Sequence, residues 1–218
     1  MAIAPTELPE TDALSASRSV SEGGGGAVWG RRFLWPETVA LLAIAVASLG
    51  AYLSWPLLPT YDLAHQLLWG YDIVHGRTPE LSSFRAPTEH PLTILFGILV
   101  APLGETGQHL AVLTQLVAFV ALVAGAYALA GALFGRWVAW ATAVLVVSRL
   151  DYAALAIRSY LDVAYLALVV WAAALEARRP RRGGVVWVLL IAAALLRPEC
   201  WMIAGLYAIW LVSDRPRW

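Results

Sequence analysis

The segment from Leu110 to Phe134 contains no charged residue. A helix needs about 20 apolar residues to cross the hydrocarbon core of a bilayer, and this segment is longer. The composition agrees, because 60% of the residues are hydrophobic and only 14% are charged. Soluble domains have about 25% charged residues, so the apolar segments of this chain need lipid around them. We therefore expect an integral membrane protein.

Further apolar segments predict an all-α fold, a polytopic transmembrane helix bundle of about six spans. The expected spans are 37–57, 110–134, 137–148, 158–177, 185–196 and 201–212. A shorter apolar segment, 91–103, is typical of an interfacial or re-entrant helix. The single cysteine excludes an internal disulfide framework.

The chain is expected to form one transmembrane module, residues 31–218, preceded by a tail. Residues 1–30 are polar, small and rich in glycine and serine, which predicts disorder. They begin with acidic residues in place of the basic and apolar regions of a signal peptide, so we expect the tail to stay in the cytoplasm. A long external loop, residues 58–109, follows the first span.

The arginines predict the orientation of the chain. All fifteen basic residues are arginine, and a cytoplasmic N-terminus leaves five of them on the outer side. These five are Arg77, Arg85, Arg149, Arg158 and Arg197. Because basic residues favour the cytoplasmic side, we expect this orientation, which brings the external loop and the later polar junctions to one outer face. The formal net charge of zero implies no nucleic acid partner.

The most polar part of the chain lies between Pro59 and Leu92 and contains three of the four histidines. At about 100° per residue, a helix over 61–75 has a polar stripe and an apolar side. The stripe is Asp62, His65, Trp69 and Asp72, and the apolar side is Leu63, Leu67, Tyr71 and Val74. This pattern predicts a helix that lies on the membrane with its apolar side toward the lipid and its polar stripe facing away from it.

Asp62 and Asp72 are the candidate catalytic residues, with Asp62 as the base and Asp72 as its assistant. A carboxylate at the lipid–water boundary can take a proton from a hydroxyl nucleophile. The alternative is that both residues only cap or solvate a surface helix. No other cofactor is expected, but the same two carboxylates are candidates to hold a divalent metal ion, Mg²⁺ or Mn²⁺.

Charged residues near the ends of later spans are candidate substrate ligands. Arg158 and Asp162 are four positions apart, so on one helix they would form an ion pair. Arg197-Pro198-Glu199 separates two apolar helices; such a break is typical of a cavity lining, and the alternative is a tight hairpin. Together with loop residues, the candidate substrate-binding residues are His65, Trp69, Glu89, His90, Arg149, Arg158, Asp162, Arg197 and Glu199.

The arrangement resembles the GT-C superfamily of integral-membrane glycosyltransferases, in particular the actinobacterial type that uses polyprenyl-phosphate sugars. The resembling segments are TYDLAHQLLWGYDIVHGRTPE, APTEHPL, SYLDVAYLALVVWAAALEARRP and LLRPECWMIAGLYAIWL. The resemblance implies a catalytic base at Asp62 and binding of the lipid phosphate by Arg158, Asp162 and Arg197. It also implies a bacterial plasma-membrane protein with an extracytoplasmic site.

The implied reaction moves a sugar from a polyprenyl-phosphate donor to a hydroxyl of a glycan, lipid or protein acceptor. Because members of the family are longer, the resemblance makes this chain, with its N-terminal module of the family, either a fragment, a minimal form or an inactive relative. The lipid bilayer is an expected partner, and a second chain that completes the site is a candidate partner. The alternative from another class is a non-catalytic polytopic membrane protein, either a transporter-like bundle or a truncated scaffold or partner subunit. In that case the charged clusters only position helices.

Overall fold

The computed structural model describes residues 35–54, 59–82, 85–181 and 183–213. No strand occurs among these residues, and the all-α class is confirmed. The predicted tail, residues 1–30, lies outside the described residues. The described residues also do not include six of the arginines that predict a cytoplasmic N-terminus, namely Arg18, Arg31, Arg32, Arg182, Arg215 and Arg217. The chain divides into two units, 1–38 and 39–218. Of the first unit only the opening residues of one helix are described, and the packing below concerns the second.

Nine α-helices follow one another along the described residues. They are α1 (Trp35–Ser54), α2 (Tyr61–Val74), α3 (Pro91–Val100), α4 (Glu105–Phe134), α5 (Arg136–Ser148), α6 (Leu150–Ile157), α7 (Leu161–Arg178), α8 (Gly184–Leu196) and α9 (Cys200–Ser213). A 3₁₀ turn, Ala101–Leu103, continues α3. Both helices expected in the external loop are thus present, and the break expected at Arg197-Pro198-Glu199 separates α8 from α9.

Two of the described helices, α1 and α4, are long and apolar enough to cross a membrane. A third candidate is the pair α5 and α6, bent by 59°, if the two form one broken span. The helices α8 and α9 have 13 and 14 residues. At about 1.5 Å per residue they are shorter than the about 30 Å of the hydrocarbon core. The structure is consistent with a membrane protein of two to three such helices, and the larger number of about six spans stays a prediction.

The central helix of the second unit is α4, which packs along α7 and α5. Their apolar contact contains the buried residues Leu116, Phe119, Leu122, Val123, Ala143, Ala156, Val163 and Ala167. Gly125 allows the close approach of α7, because a Cβ there would lie 3.0 Å from a ring atom of Trp171. The indole N–H of Trp171 donates to the carbonyl oxygen of Ala121 at 2.8 Å. A second apolar cluster, mostly alanine, joins α7, α8 and α9 and includes the buried Cys200.

Helices α2 and α3 cross at two glycines. A Cβ at Gly70 would lie 2.5 Å from the carbonyl carbon of Gly97, so the two backbones are in direct contact. A third apolar cluster connects this pair to α4 and α7, and its members are Leu63, Leu67, Val100, Ala111 and Leu161. The cluster contains residues from the beginnings of α4 and α7, so α2 and α3 cover the end of the bundle at which both helices start.

Candidate functional site

Polar contacts at the end of the bundle covered by α2 form a closed series. The series leads from α2 to the start of α7, then to the end of α8, then to the start of α3, and back to α2. We call this series the polar ring, and its residues are Thr60, Gln66, His90, Ser159, Asp162 and Arg197. Residues far apart in the sequence therefore meet at one place, among them three of the predicted substrate ligands.

Thr60 connects the start of α2 to the junction of α6 and α7. Its hydroxyl oxygen caps α2 by accepting from the backbone N–H of Leu63 at 3.5 Å. The same hydroxyl donates to the carbonyl oxygen of Ser159 at 3.2 Å, a contact between residues 99 positions apart. This bond holds the first turn of α2, which carries Asp62, beside the junction that carries Arg158.

Asp162 in the first turn of α7 forms an ion pair with Arg197, which follows the last residue of α8. The predicted pair between Arg158 and Asp162 is wrong. The backbone leaves the helical conformation at Ser159, whose φ is +59°, so Arg158 follows the end of α6 while Asp162 lies in α7. Arg158 is exposed, and its guanidinium carbon lies 5.8 Å from the ring centre of Tyr160.

His90 is buried at the start of α3 and closes the ring. Its Nδ1–H donates to the carbonyl oxygen of Leu196, the last residue of α8, at 2.5 Å. Its backbone N–H donates to the side-chain oxygen of Gln66 at 3.2 Å, and the side-chain NH₂ of Gln66 donates to the carbonyl oxygen of Thr88 at 2.9 Å. The fully buried Gln66 therefore fastens the end of the loop to α2.

Two atoms of the ring, Ser159 Oγ and Arg197 Nε, are buried and have no hydrogen-bond partner among the described residues. Burying an unsatisfied donor costs about 1–3 kcal/mol. Ser159 is also fully buried in the left-handed backbone region, which costs a residue with a Cβ about 1–2 kcal/mol. Unfavourable features of this kind concentrate at functional sites.

The predicted orientation of α2 is partly wrong. Trp69, expected on the polar stripe with Asp62, is only 2% exposed. The close contact of Gly70 with α3 determines which side of the helix is buried. Asp62 itself is half-buried, and within the described residues its carboxylate makes no ion pair and no side-chain hydrogen bond.

Asp72 lies near the other end of α2, about 15 Å from Asp62 along the helix axis at about 1.5 Å per residue. Its carboxylate is 3.7 Å from the guanidinium of Arg77. Oxygen ligands bind a divalent ion at about 2.0–2.6 Å, so the two aspartates do not share one ion, and Asp72 does not contact the proton that Asp62 would take. Among the described residues, no group of three or more His, Cys, Asp or Glu side chains is arranged to hold a metal ion.

The remaining predicted ligands lie outside the contacts of the ring. His65 is half-buried, and its ring centre lies 4.2 Å from that of Tyr61 on the same helix. Arg149 forms an exposed ion pair of 2.9 Å with Asp151 between α5 and α6. The other two ligands, Glu89 and Glu199, are exposed, one position from His90 and two positions from Arg197 in the sequence.

A groove of about 640 Å³ lies between α2, α3, the 3₁₀ turn and the start of α4. Its lining includes Leu68, Tyr71, Val100, Glu105 and Gln108. None of the ring residues borders it, so the groove and the polar ring are separate features of this end of the bundle.

Three ring residues were not predicted from the sequence. The helical spacing could have predicted that Gln66 is buried, since this uncharged polar residue is on the same helical side as Leu63 and Gly70. Thr60 had another, because threonine directly before a helix is a typical N-cap. Ser159 had none, since its contact uses a backbone carbonyl and depends on the turn at the junction.

Comparisons of the chain with protein-family models, with curated proteins and with solved structures give no significant match.

Proposed function

We propose that the chain is the membrane module of a glycosyltransferase of the GT-C type, which moves a sugar from a polyprenyl phosphate to an acceptor hydroxyl on the extracytoplasmic face. The hydrogen bond between Thr60 and Ser159 is the observation that carries the proposal. It holds the first turn of α2, with the unpaired Asp62, next to the junction with the exposed Arg158. A base and a cation at one end of an apolar bundle suit this transfer.

The proposed arrangement in the membrane follows from the length of α7. This helix has 18 residues, which is about 27 Å and close to the about 30 Å of the hydrocarbon core. Its charged residues are confined to its ends, with Asp162 at one and Glu176 and Arg178 at the other. In the proposed bundle of about six spans, we place α7 across the membrane in addition to α1, α4 and the pair of α5 and α6, with the polar ring at the outer interface.

In the proposed reaction the bond between the anomeric carbon and the phosphate oxygen breaks while the acceptor oxygen bonds to that carbon. Asp62 takes the hydroxyl proton, and the polyprenyl phosphate leaves as an anion. The guanidinium of Arg158 stabilises this anion, because its planar fork donates two hydrogen bonds to phosphate oxygens. Arg197 adds to the stabilisation when the phosphate replaces the carboxylate of Asp162.

A second candidate is a non-catalytic membrane protein, and the ion pairs favour it. Arg197 is paired with Asp162 and Arg149 with Asp151, as expected for charges that only position helices near a membrane. In a scaffold or partner subunit, Asp62 would be a solvated residue at the start of a helix.

The test reconstitutes the full chain in liposomes and supplies polyprenyl phosphate carrying a radiolabelled hexose or pentose, with bacterial envelope membranes as the acceptor source. We expect label transfer that falls by about 100-fold or more in Asp62→Asn, the range typical of a lost general base. Glu80→Gln is the matched control, because Glu80 is an exposed acid of the same loop. Transfer by the control should remain within twofold of the wild-type rate. Absence of transfer by the wild-type chain, or equal rates for Asp62→Asn and wild type, would contradict the proposed function.

A further inference from the structure

The connection between α7 and α8 is the most basic part of the chain. Four arginines occupy positions 178, 179, 181 and 182, and the sequence from 183 to 198 contains no acid. The side chains of Arg178, Arg179 and Arg181 are exposed. We call this connection the arginine turn. The polar ring lies at the start of α7, and the arginine turn lies at the end of the same helix.

Glu176 gives the arginine turn a defined shape. One of its carboxylate oxygens accepts the backbone N–H of Arg181, and the other accepts the hydroxyl of Tyr207 from α9 at 2.9 Å. The backbone at Arg181 and Gly183 adopts positive φ angles of 60° and 64°, which complete the tight connection. Arg178, Arg179 and Arg181 are therefore presented next to a carboxylate that connects the turn to a neighbouring helix.

Aromatic rings beside the turn indicate its depth in the membrane. The ring centre of Tyr207 lies 5.4 Å from that of Trp187 and 5.9 Å from that of Trp210. The guanidinium carbon of Arg181 lies 5.6 Å from the ring centre of Trp210. Tryptophan and tyrosine concentrate at the level of the lipid headgroups, so these rings and the arginines share the chemistry of a membrane–water boundary.

We infer that the arginine turn is a binding surface for the phosphate headgroup of anionic phospholipids. Guanidinium groups bind phosphate oxygens through paired hydrogen bonds, and each arginine near an anionic leaflet adds to the attraction. The ordered turn reduces the entropy lost on binding, because its backbone is already held by Glu176. This inference stands independently of the proposed sugar transfer.

The test measures lipid binding to the purified full chain in detergent micelles by native mass spectrometry, with dioleoylphosphatidylglycerol and dioleoylphosphatidylcholine as probes. We expect the phosphatidylglycerol preference to fall by roughly tenfold or more in Arg178→Gln/Arg179→Gln, given the attraction per arginine at a membrane surface. Arg178→Lys/Arg179→Lys should keep most of the preference. Arg77→Gln/Arg85→Gln, which removes two exposed arginines of the external loop, should keep all of it.

Two measurements on the wild-type chain need no variant. Raising NaCl from about 50 to about 500 mM should weaken phosphatidylglycerol binding, because salt screens exposed charges. Free glycerol 3-phosphate should not compete. Equal binding of the two lipids, binding that does not respond to salt, an unchanged preference in the glutamine variant, or displacement by glycerol 3-phosphate or by an acidic peptide would each overturn the inference.

Discussion

Asp162 is paired with Arg197, the residue after α8, and not with Arg158, which stands four positions before it in the sequence. Because of the turn at Ser159, Arg158 is not part of the helix that contains Asp162. The guanidinium that pairs with Asp162 comes from Arg197, at the end of α8. The pair therefore links α7 to the break between α8 and α9, and it has consequences that can be measured.

The free energy of unfolding should reveal the coupling between Asp162 and Arg197. Asp162→Asn and Arg197→Gln should each destabilise the chain, and the double variant should lose less than the sum of the two. Because these side chains are 35% and 33% exposed, we expect a coupling energy of about 1–2 kcal/mol, between exposed and buried pairs. Denaturant titration of the four proteins in one detergent gives this value. Additive effects would show that the pair contributes no net stability.

Gly70 should tolerate no side chain. A Cβ there would lie 2.5 Å from the backbone of Gly97, so Gly70→Ala must force α2 and α3 apart. We expect a loss of about 1–3 kcal/mol in the free energy of unfolding, as for other overpacked sites. Gly50→Ala in α1 is the control, because its Cβ would have no atom within 4 Å. A thermal shift assay that finds the two variants equally stable would contradict the close helix contact.

Gln66 should stabilise the loop before α3 through its two hydrogen bonds. Gln66→Leu keeps a side chain of similar size but leaves the N–H of His90 and the carbonyl of Thr88 without their partner. We expect a loss of about 2–4 kcal/mol, since each unsatisfied group costs about 1–3 kcal/mol. Hydrogen exchange at the His90 amide should become faster. Gln108→Leu, at an exposed glutamine of α4, should leave that exchange rate unchanged.

Ser159 should be replaceable by glycine with a gain in stability. Glycine adopts the positive φ of this position without steric cost, and the substitution removes a buried hydroxyl that lacks a partner. After the larger unfolded-state entropy of glycine is subtracted, we expect a gain of about 1 kcal/mol in the free energy of unfolding. Ser148→Gly, at the helical end of α5, should lose stability. A loss of stability in Ser159→Gly would show that the hydroxyl has a stabilising partner.

The sequence predicted the features that depend on local chemistry. The apolar segments located the helices, and Pro198 correctly marked the break between α8 and α9. The helical pattern of α2 also predicted a helix from Tyr61, but it assigned the wrong surroundings to Trp69. The helical period placed Trp69 on the same side as Asp62, His65 and Asp72, whereas its burial follows from the glycine contact of α2 with α3.

The contacts of the candidate site depended on information that the sequence pattern does not contain. Arg158 and Asp162 have the spacing of a helical ion pair, and only the backbone turn between them prevents it. The pairing of Asp162 with Arg197 needs the relative positions of three helices. The number of spans stays a prediction for a related reason, because α8 and α9 are apolar but short and only their packing can decide their depth.

The hydrogen bond from His90 to the last carbonyl of α8 constrains how the protein can be assembled during synthesis. The two residues are 106 positions apart, so the histidine leaves the ribosome long before its acceptor exists. Until Leu196 arrives, the imidazole must stay hydrated or use a temporary partner. The carbonyl that closes this end of the bundle therefore becomes available to His90 only after α8 has been synthesised.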